Sequence, residues 1–110
     1  MLVVEDDASL RMLCRMTLEL DSFRVREAAT LESARAAVAE ERPGIVFLDV
    51  HLGGQSSDSL LDELRQSGIP VVVVTGSADV TQYRDRADEV LMKPFEPRAL
   101  TAAATRHLVG

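Results

Sequence analysis

The chain has 110 residues, a length that predicts one globular domain over residues 1–110 with no separate output domain. Hydrophobic residues make up 46% and charged residues 27% of the chain, a composition that excludes the disordered and membrane classes of protein. Its formal net charge of −6 argues against direct nucleic-acid binding, because affinity for a phosphate backbone needs clustered Lys and Arg. No apolar stretch reaches membrane-spanning length, and acidic residues follow Met1 too soon for a signal peptide, so we expect a cytoplasmic protein.

Short apolar runs alternate with longer amphipathic stretches, a pattern typical of βαβ units and a parallel sheet. We predict five strands, at Leu2–Val4, Phe23–Val25, Ile45–Leu48, Val71–Val74 and Val90–Met92. Five helices are predicted at Ser9–Leu20, Leu31–Glu41, Ser57–Gln66, Val80–Arg86 and Pro97–Leu108. Right-handed crossovers then predict an α/β fold, a doubly wound five-stranded parallel sheet with helices on both faces.

Residue patterns inside these elements indicate which surfaces are buried. Val71–Val74 has no polar alternation, as in a central strand covered on both faces, whereas the alternation around Phe23–Val25 favours an edge strand. In the first helix the spacing i, i+3, i+4, i+7, i+8 predicts a core-facing stripe of Leu10, Leu13, Cys14, Thr17 and Leu18. Met12 and Met16 fall off that stripe, and exposed methionines suit adaptable contact surfaces.

Polar side chains follow four of the five predicted strands. Glu5 and Asp6 come after the first strand and Asp49 after the third. Thr75 follows the fourth strand and Lys93 the fifth. Because the carboxyl ends of parallel strands meet at one edge of the sheet, where ligands usually bind, we expect these five side chains to converge.

Three converging carboxylates repel one another unless a cation lies among them. Glu5, Asp6 and Asp49 are hard oxygen ligands of the kind that suits Mg²⁺. Phosphoryl transfer depends mostly on positioning and charge neutralisation, which makes Asp49 the predicted nucleophile and phosphoacceptor. Lys93 is then expected to neutralise one phosphoryl oxygen, and the Thr75 hydroxyl to donate a hydrogen bond to another.

Four segments are similar, in order and in strand context, to the signature segments of response regulator receiver domains: Val3–Asp7, Phe47–Val50, Val74–Gly76 and Lys93–Phe95. The resemblance covers nearly the whole chain and implies the flavodoxin-like strand order 2-1-3-4-5. It also implies that a histidine kinase or histidine phosphotransfer protein phosphorylates Asp49 in a Mg²⁺-dependent reaction, and that a conformational change then signals to a downstream protein.

The resemblance assigns further roles residue by residue. It implies that the backbone carbonyl of His51 is the third protein ligand of the metal, and that the Lys93-Pro94 bond is cis. Asp7 lies one place beyond the acidic pair and either caps the first helix or faces a partner.

The chain also departs from the family pattern. Val90 stands where the family usually has an aromatic residue, the fourth helix is short, and Ser57 stands where a glycine is expected. Tyr83 is either a surface contact or a substitute aromatic. We expect phosphorylation to shift the segment Thr75–Ala78 and the fourth helix without a rotamer change at Val90, whose β-branched side chain is stiff.

The main alternative is a degenerate receiver that acts as a phosphorylation-independent interaction module, which Val90 and the short fourth helix favour. The five filled site positions favour the phosphoacceptor. A haloacid-dehalogenase-like phosphatase is disfavoured because Asp49-Val50-His51 lacks that family's second aspartate, and a flavin binder because the loop after the first strand is acidic.

Overall fold

The computed structural model describes residues 1–76 and 80–108. In chain order the elements are β1 (Leu2–Val4), α1 (Ala8–Leu20), β2 (Arg26–Ala28), α2 (Leu31–Glu40), β3 (Val46–Asp49), β4 (His51–Leu52), β5 (Gln55–Ser56), α3 (Asp58–Gln66), β6 (Val71–Thr75), α4 (Val80–Tyr83), β7 (Glu89–Met92) and α5 (Pro97–His107). No helix within these ranges has the length and apolar character needed to cross a membrane.

Five strands form one parallel sheet in the order β2-β1-β3-β6-β7. β4 and β5 form a separate hairpin, so β6 and β7 are the fourth and fifth strands of this sheet. The predicted order 2-1-3-4-5 is therefore confirmed. Leu2 of β1 pairs with Arg26 on one side and Val46 on the other, so the N-terminal strand lies inside the sheet. β6 is buried along its whole length, as predicted for a central strand.

The core consists of two layers, one on each face of the sheet, because successive strand residues point to opposite faces. Leu2 and Val4 contribute to the first layer and Val3 to the second. The first layer, here called the α2–α3 core, also contains Ala34, Leu60, Leu61, Leu64 and Tyr83. The second, here called the α1–α5 core, also contains Cys14, Leu18, Leu100, Ala103 and Ala104. Helices therefore cover both faces, as expected for a doubly wound fold.

The predicted second strand was placed too early in the chain. The N–H of Phe23 donates to the carbonyl of Leu18 and closes the end of α1, and pairing with β1 begins only at Arg26. Phe23 and Val25 pack partly buried against the α1–α5 core. Their alternation therefore reflects burial of the segment leading into the strand, which does lie at the sheet edge as predicted.

Helix α4 ends at Tyr83, three residues before Arg86, where the sequence predicted its end. The backbone N–H groups of Arg86 and Ala87 both donate to the carbonyl of Tyr83, which turns the chain toward β7. The fourth helix is thus short, as predicted. Tyr83 is only 3% exposed, so it is a core residue and not a surface contact.

The core-facing stripe predicted for α1 wrongly included Leu13. Cys14 and Leu18 are buried, but Leu13 is 52% exposed. Leu13 instead extends an apolar strip along the outer face of the helix, formed by Met12, Leu13, Met16 and Leu20.

Two leucines of α1 allow a matched test of these layers. Leu18 is fully buried and Leu20 is 87% exposed. We expect Leu18→Ala to lower the free energy of unfolding by about 2–5 kcal/mol, because it leaves a cavity. Leu20→Ala should change it by less than about 0.5 kcal/mol. Urea unfolding of both variants measures the difference, and equal losses would contradict the described orientation of α1.

Candidate functional site

The five predicted site residues lie at the carboxyl edge of the parallel sheet. Glu5 and Asp6 directly follow β1, Asp49 is the last residue of β3, Thr75 ends β6 and Lys93 follows β7. One carboxylate oxygen from each of Glu5, Asp6 and Asp49 lies within 4.8 Å of the other two. Two neighbouring strands, β1 and β3, therefore bring three acidic groups to one point.

Lys93 connects the carboxylates of two different strands. Its Nζ lies 3.1 Å from Oε1 of Glu5 and 3.3 Å from Oδ2 of Asp49. The backbone N–H of Lys93 donates to the carbonyl of Thr75 at 2.8 Å, which continues the β6–β7 ladder by one residue. Thr75 is 1% exposed and lies one position beyond Val74, the β6 partner of Asp49. The Lys93-Pro94 bond is cis, as the resemblance implies.

The acidic groups differ in their surroundings. Glu5 and Asp49 are 4% and 6% exposed, whereas Asp6 is exposed. Burial, assisted by the hydrogen bond to Asp49, raises the pKa of Glu5 to about 7. The N–H of Gly53 holds the pKa of Asp6 below its ordinary value. With a pKa of about 7, Glu5 is therefore about half protonated at neutral pH in the absence of a cation, whereas Asp6 is ionised.

A two-stranded hairpin absent from our sequence predictions borders the site. Its turn residues, Gly53 and Gly54, have φ of +56° and +81°, the positive values that a tight two-residue hairpin turn requires. The N–H of Gly53 donates to Oδ2 of Asp6 at 3.0 Å, and that of His51 to Oδ1 of Asp49 at 3.3 Å. The hairpin thus positions two of the three carboxylates.

Ser57 is a site neighbour whose contact the sequence did not reveal. It is 1% exposed, and its Oγ donates to the backbone carbonyl of Asp49 at 2.6 Å. Ser57 is also the N-cap residue of α3, yet its side chain makes no capping hydrogen bond. The only sequence signal was that a serine stands where the family has a glycine.

Of the two roles that the sequence left open for Asp7, helix capping or contact with a partner, the structure shows helix capping. Its Oδ1 accepts hydrogen bonds from the N–H groups of Ser9 and Leu10 at the start of α1. Its own N–H donates to Oε2 of Glu5 at 3.1 Å. A single residue therefore both begins the helix and orients the buried carboxylate of the acidic pair.

Known proteins are similar in sequence to most of this chain. The sequence model described as "Response regulator receiver domain" matches residues 1–105. The chain is 36% identical to the DNA-binding response regulator MtrA of Mycobacterium tuberculosis, over 97% of this chain and 49% of that protein. It is 28% identical to the phosphate regulon transcriptional regulatory protein PhoB of Pseudomonas aeruginosa, over 92% of this chain and 48% of that protein. The chain thus spans about half the length of these curated relatives.

Solved structures give the same result. The receiver domain of NtrX from Brucella abortus is 32% identical and superposes with a TM-score of 0.90, covering 97% of this chain and 96% of that one. A CheY-like receiver domain protein from Methanospirillum hungatei is 25% identical with a TM-score of 0.85, covering 96% and 89%. Sequence and fold agree over nearly the entire chain, which belongs to the response regulator receiver domain family of two-component systems.

Proposed function

We propose that the chain is a Mg²⁺-dependent phosphoacceptor that receives a phosphoryl group from a histidine kinase or histidine phosphotransfer protein onto Asp49. The observation that carries this proposal is the cluster of Glu5, Asp6 and Asp49 within 4.8 Å, with Lys93 in contact with two of its members. A lysine and three carboxylates supply both charge signs that phosphoryl transfer needs.

The donor set fits Mg²⁺. Three carboxylates that share one point, one of them with a raised pKa, form a site whose repulsion a divalent cation relieves. Glu5, Asp6 and Asp49 would hold the ion through their side chains, and His51 through its backbone carbonyl. When bound, Mg²⁺ neutralises negative charge on the phosphoryl oxygens.

The chain's own residues have distinct roles in this proposal. A carboxylate oxygen of Asp49 attacks phosphorus, the bond from phosphorus to the donor histidine nitrogen breaks, and that nitrogen keeps the electron pair. Lys93, already 3.3 Å from Asp49, neutralises a phosphoryl oxygen. The buried Thr75 hydroxyl donates to another. The product is an aspartyl phosphate, and the chain acts as a signalling domain rather than as an enzyme with an external substrate.

The raised pKa of Glu5 predicts how metal binding depends on pH. Its folded-state pKa of about 7 lies above its ordinary value, so Glu5 holds a proton below that pH and must release it to bind a metal. We expect the apparent Mg²⁺ affinity to fall about tenfold between pH 8 and pH 6. Isothermal titration measures this, and Glu5→Gln, although weaker overall, should show a smaller dependence. An equally steep profile in that variant would assign the proton to another group.

The exposed strip of α1 supports the proposed partner. Met12, Leu13 and Met16 are each at least 50% exposed, and Leu20 is 87% exposed. Methionine-rich apolar surfaces adapt to helical partners. In the proposal this strip docks the phosphodonor in the cytoplasm, without membrane or direct nucleic-acid contact, and a downstream protein receives the signal.

Phosphorylation with acetyl phosphate, a small phosphodonor, tests the proposal directly. In the presence of Mg²⁺, intact mass should increase by one phosphoryl group, and chelation should prevent the increase. A chain that binds its protein partner yet takes no phosphoryl group under these conditions would instead be the degenerate interaction module.

A further inference from the structure

The start of α3 is attached to the backbone of Asp49. The hydroxyl of Ser57 donates to the Asp49 carbonyl at 2.6 Å, and the N–H of Ser57 donates to the Val50 carbonyl at 2.9 Å. Both contacts involve a residue that is 1% exposed, so water does not compete for them. A displacement of the Asp49 backbone is therefore transmitted to the first turn of α3.

The next residue continues this connection to α4. Oδ1 of Asp58 accepts a hydrogen bond from the hydroxyl of Tyr83 at 2.5 Å, and Oδ2 lies 3.4 Å from Arg86. Arg86 also pairs with Asp62 at 3.2 Å and lies 5.4 Å from the centroid of the Tyr83 ring. The Tyr83 ring is thus buried in the α2–α3 core, while its hydroxyl bonds to α3. Arg86, just after α4, also pairs with α3.

We propose that Ser57 is a positioning residue for Asp49 and that, with Asp58, it couples the phosphoacceptor to Tyr83, so that α3 and α4 change together on phosphorylation. This inference rests on the proposed function and extends it to the output of the same site. Ser57 and Asp58 are adjacent, so the connection from Asp49 to Tyr83 contains only two hydrogen bonds and one peptide bond.

The position of Tyr83 explains why this route suits the chain. Val90 is partly buried against the α2–α3 core, and its β-branched side chain is too stiff to move as a gate. Tyr83 belongs to the same core layer, but its hydroxyl reaches α3. The aromatic side chain at the end of α4 is therefore hydrogen-bonded to the helix that begins beside Asp49. Ser77 and Ala78, which the expected loop movement includes, lie outside the described residues.

The sequence provides a specific reporter. Tyr83 is the only tyrosine, and the chain has no tryptophan, so intrinsic tyrosine emission comes from this residue alone. A carboxylate that accepts a hydrogen bond from a phenol quenches its emission. Titration with beryllium fluoride and Mg²⁺, a phosphoryl mimic, should therefore change Tyr83 emission in the wild-type chain, and acetyl phosphate should cause the same change.

Two variants break the connection at different points. Ser57→Ala should slow phosphoryl uptake from acetyl phosphate about fivefold, the rate equivalent of one ordinary hydrogen bond, and remove most of the Tyr83 response. Asp58→Ala should leave uptake unchanged and remove the response. The matched control is Ser59→Ala, in the same helix, where the lost hydroxyl is exposed and contacts Arg35 instead. It should keep both uptake and response.

The outcomes separate this inference from the function it rests on. A wild-type chain that takes up no phosphoryl group and binds no mimic would overturn both. Normal uptake with unchanged Tyr83 emission would overturn the inference alone. A full emission response in Asp58→Ala, equal to that of Ser59→Ala, would show that the signal reaches Tyr83 without Asp58, and would also overturn it. Because Asp58 is only partly buried, this variant remains informative if Ser57→Ala folds poorly.

Discussion

Replacing Asp49 with asparagine is expected to abolish phosphoryl uptake completely. The amide has nearly the shape of the carboxylate but lacks its nucleophilic charge, so the site keeps its packing and loses its reaction. Incubation with acetyl phosphate and Mg²⁺, followed by intact mass measurement, gives the result. Uptake at wild-type stoichiometry in Asp49→Asn would identify another residue as the acceptor.

The same variant also reports on repulsion within the cluster. Removing one of three neighbouring carboxylates should stabilise the metal-free protein, because Glu5 and Asp49 are both buried at the site. Asp21→Asn is a matched control, since Asp21 is an exposed residue at the far end of α1. Thermal melts without Mg²⁺ should show a gain for Asp49→Asn and none for Asp21→Asn; no gain for the first would argue against strong repulsion.

Magnesium should raise the melting temperature of the wild-type chain, and Asp6→Ala should eliminate that increase. A ligand that binds only the folded state stabilises it by mass action, about 1.4 kcal/mol at ten times its Kd. For a domain of this size that corresponds to roughly 6 °C. Asp6 is the exposed member of the cluster, so its removal disturbs packing least.

Asp7→Ala provides the control for this experiment. Asp7 is also acidic and directly follows Asp6, but its side chain caps α1. Its loss should lower the melting temperature by removing a helix cap worth about 1 kcal/mol, while the Mg²⁺-dependent increase remains. If both variants kept the increase, the proposed carboxylates would not be the metal site.

The sequence was sufficient to predict the sheet order, by resemblance, and the placement of the five residues at one edge of the sheet. Each of the five follows an apolar run, and in a parallel sheet this position fixes which edge a side chain occupies. Val71–Val74 illustrates why the strands were recognisable: four consecutive branched apolar residues have few alternatives to a central strand. The burial of Cys14 and Leu18 followed in the same way from helical spacing.

The errors occur where a pattern has two possible physical causes. Phe23 and Val25 alternate because they pack against the α1–α5 core, but the same alternation is typical of a paired strand. Leu13 continues an apolar spacing that serves an outer strip and not the core. The Ser57 contact requires knowing that its hydroxyl reaches the Asp49 carbonyl, a distance that depends on the course of the β4–β5 hairpin. No local residue pattern encodes such a distance.

The order of strands in the sheet also determines when the site can exist during synthesis. Glu5 follows β1 and leaves the ribosome well before Lys93, the lysine that pairs with it, which follows the edge strand β7. A nascent chain that has not reached Lys93 holds the acidic cluster without its positive charge. The pairing of Glu5 with Lys93 therefore cannot form until synthesis has passed β7, so the acidic cluster acquires its positive partner later than its own three carboxylates.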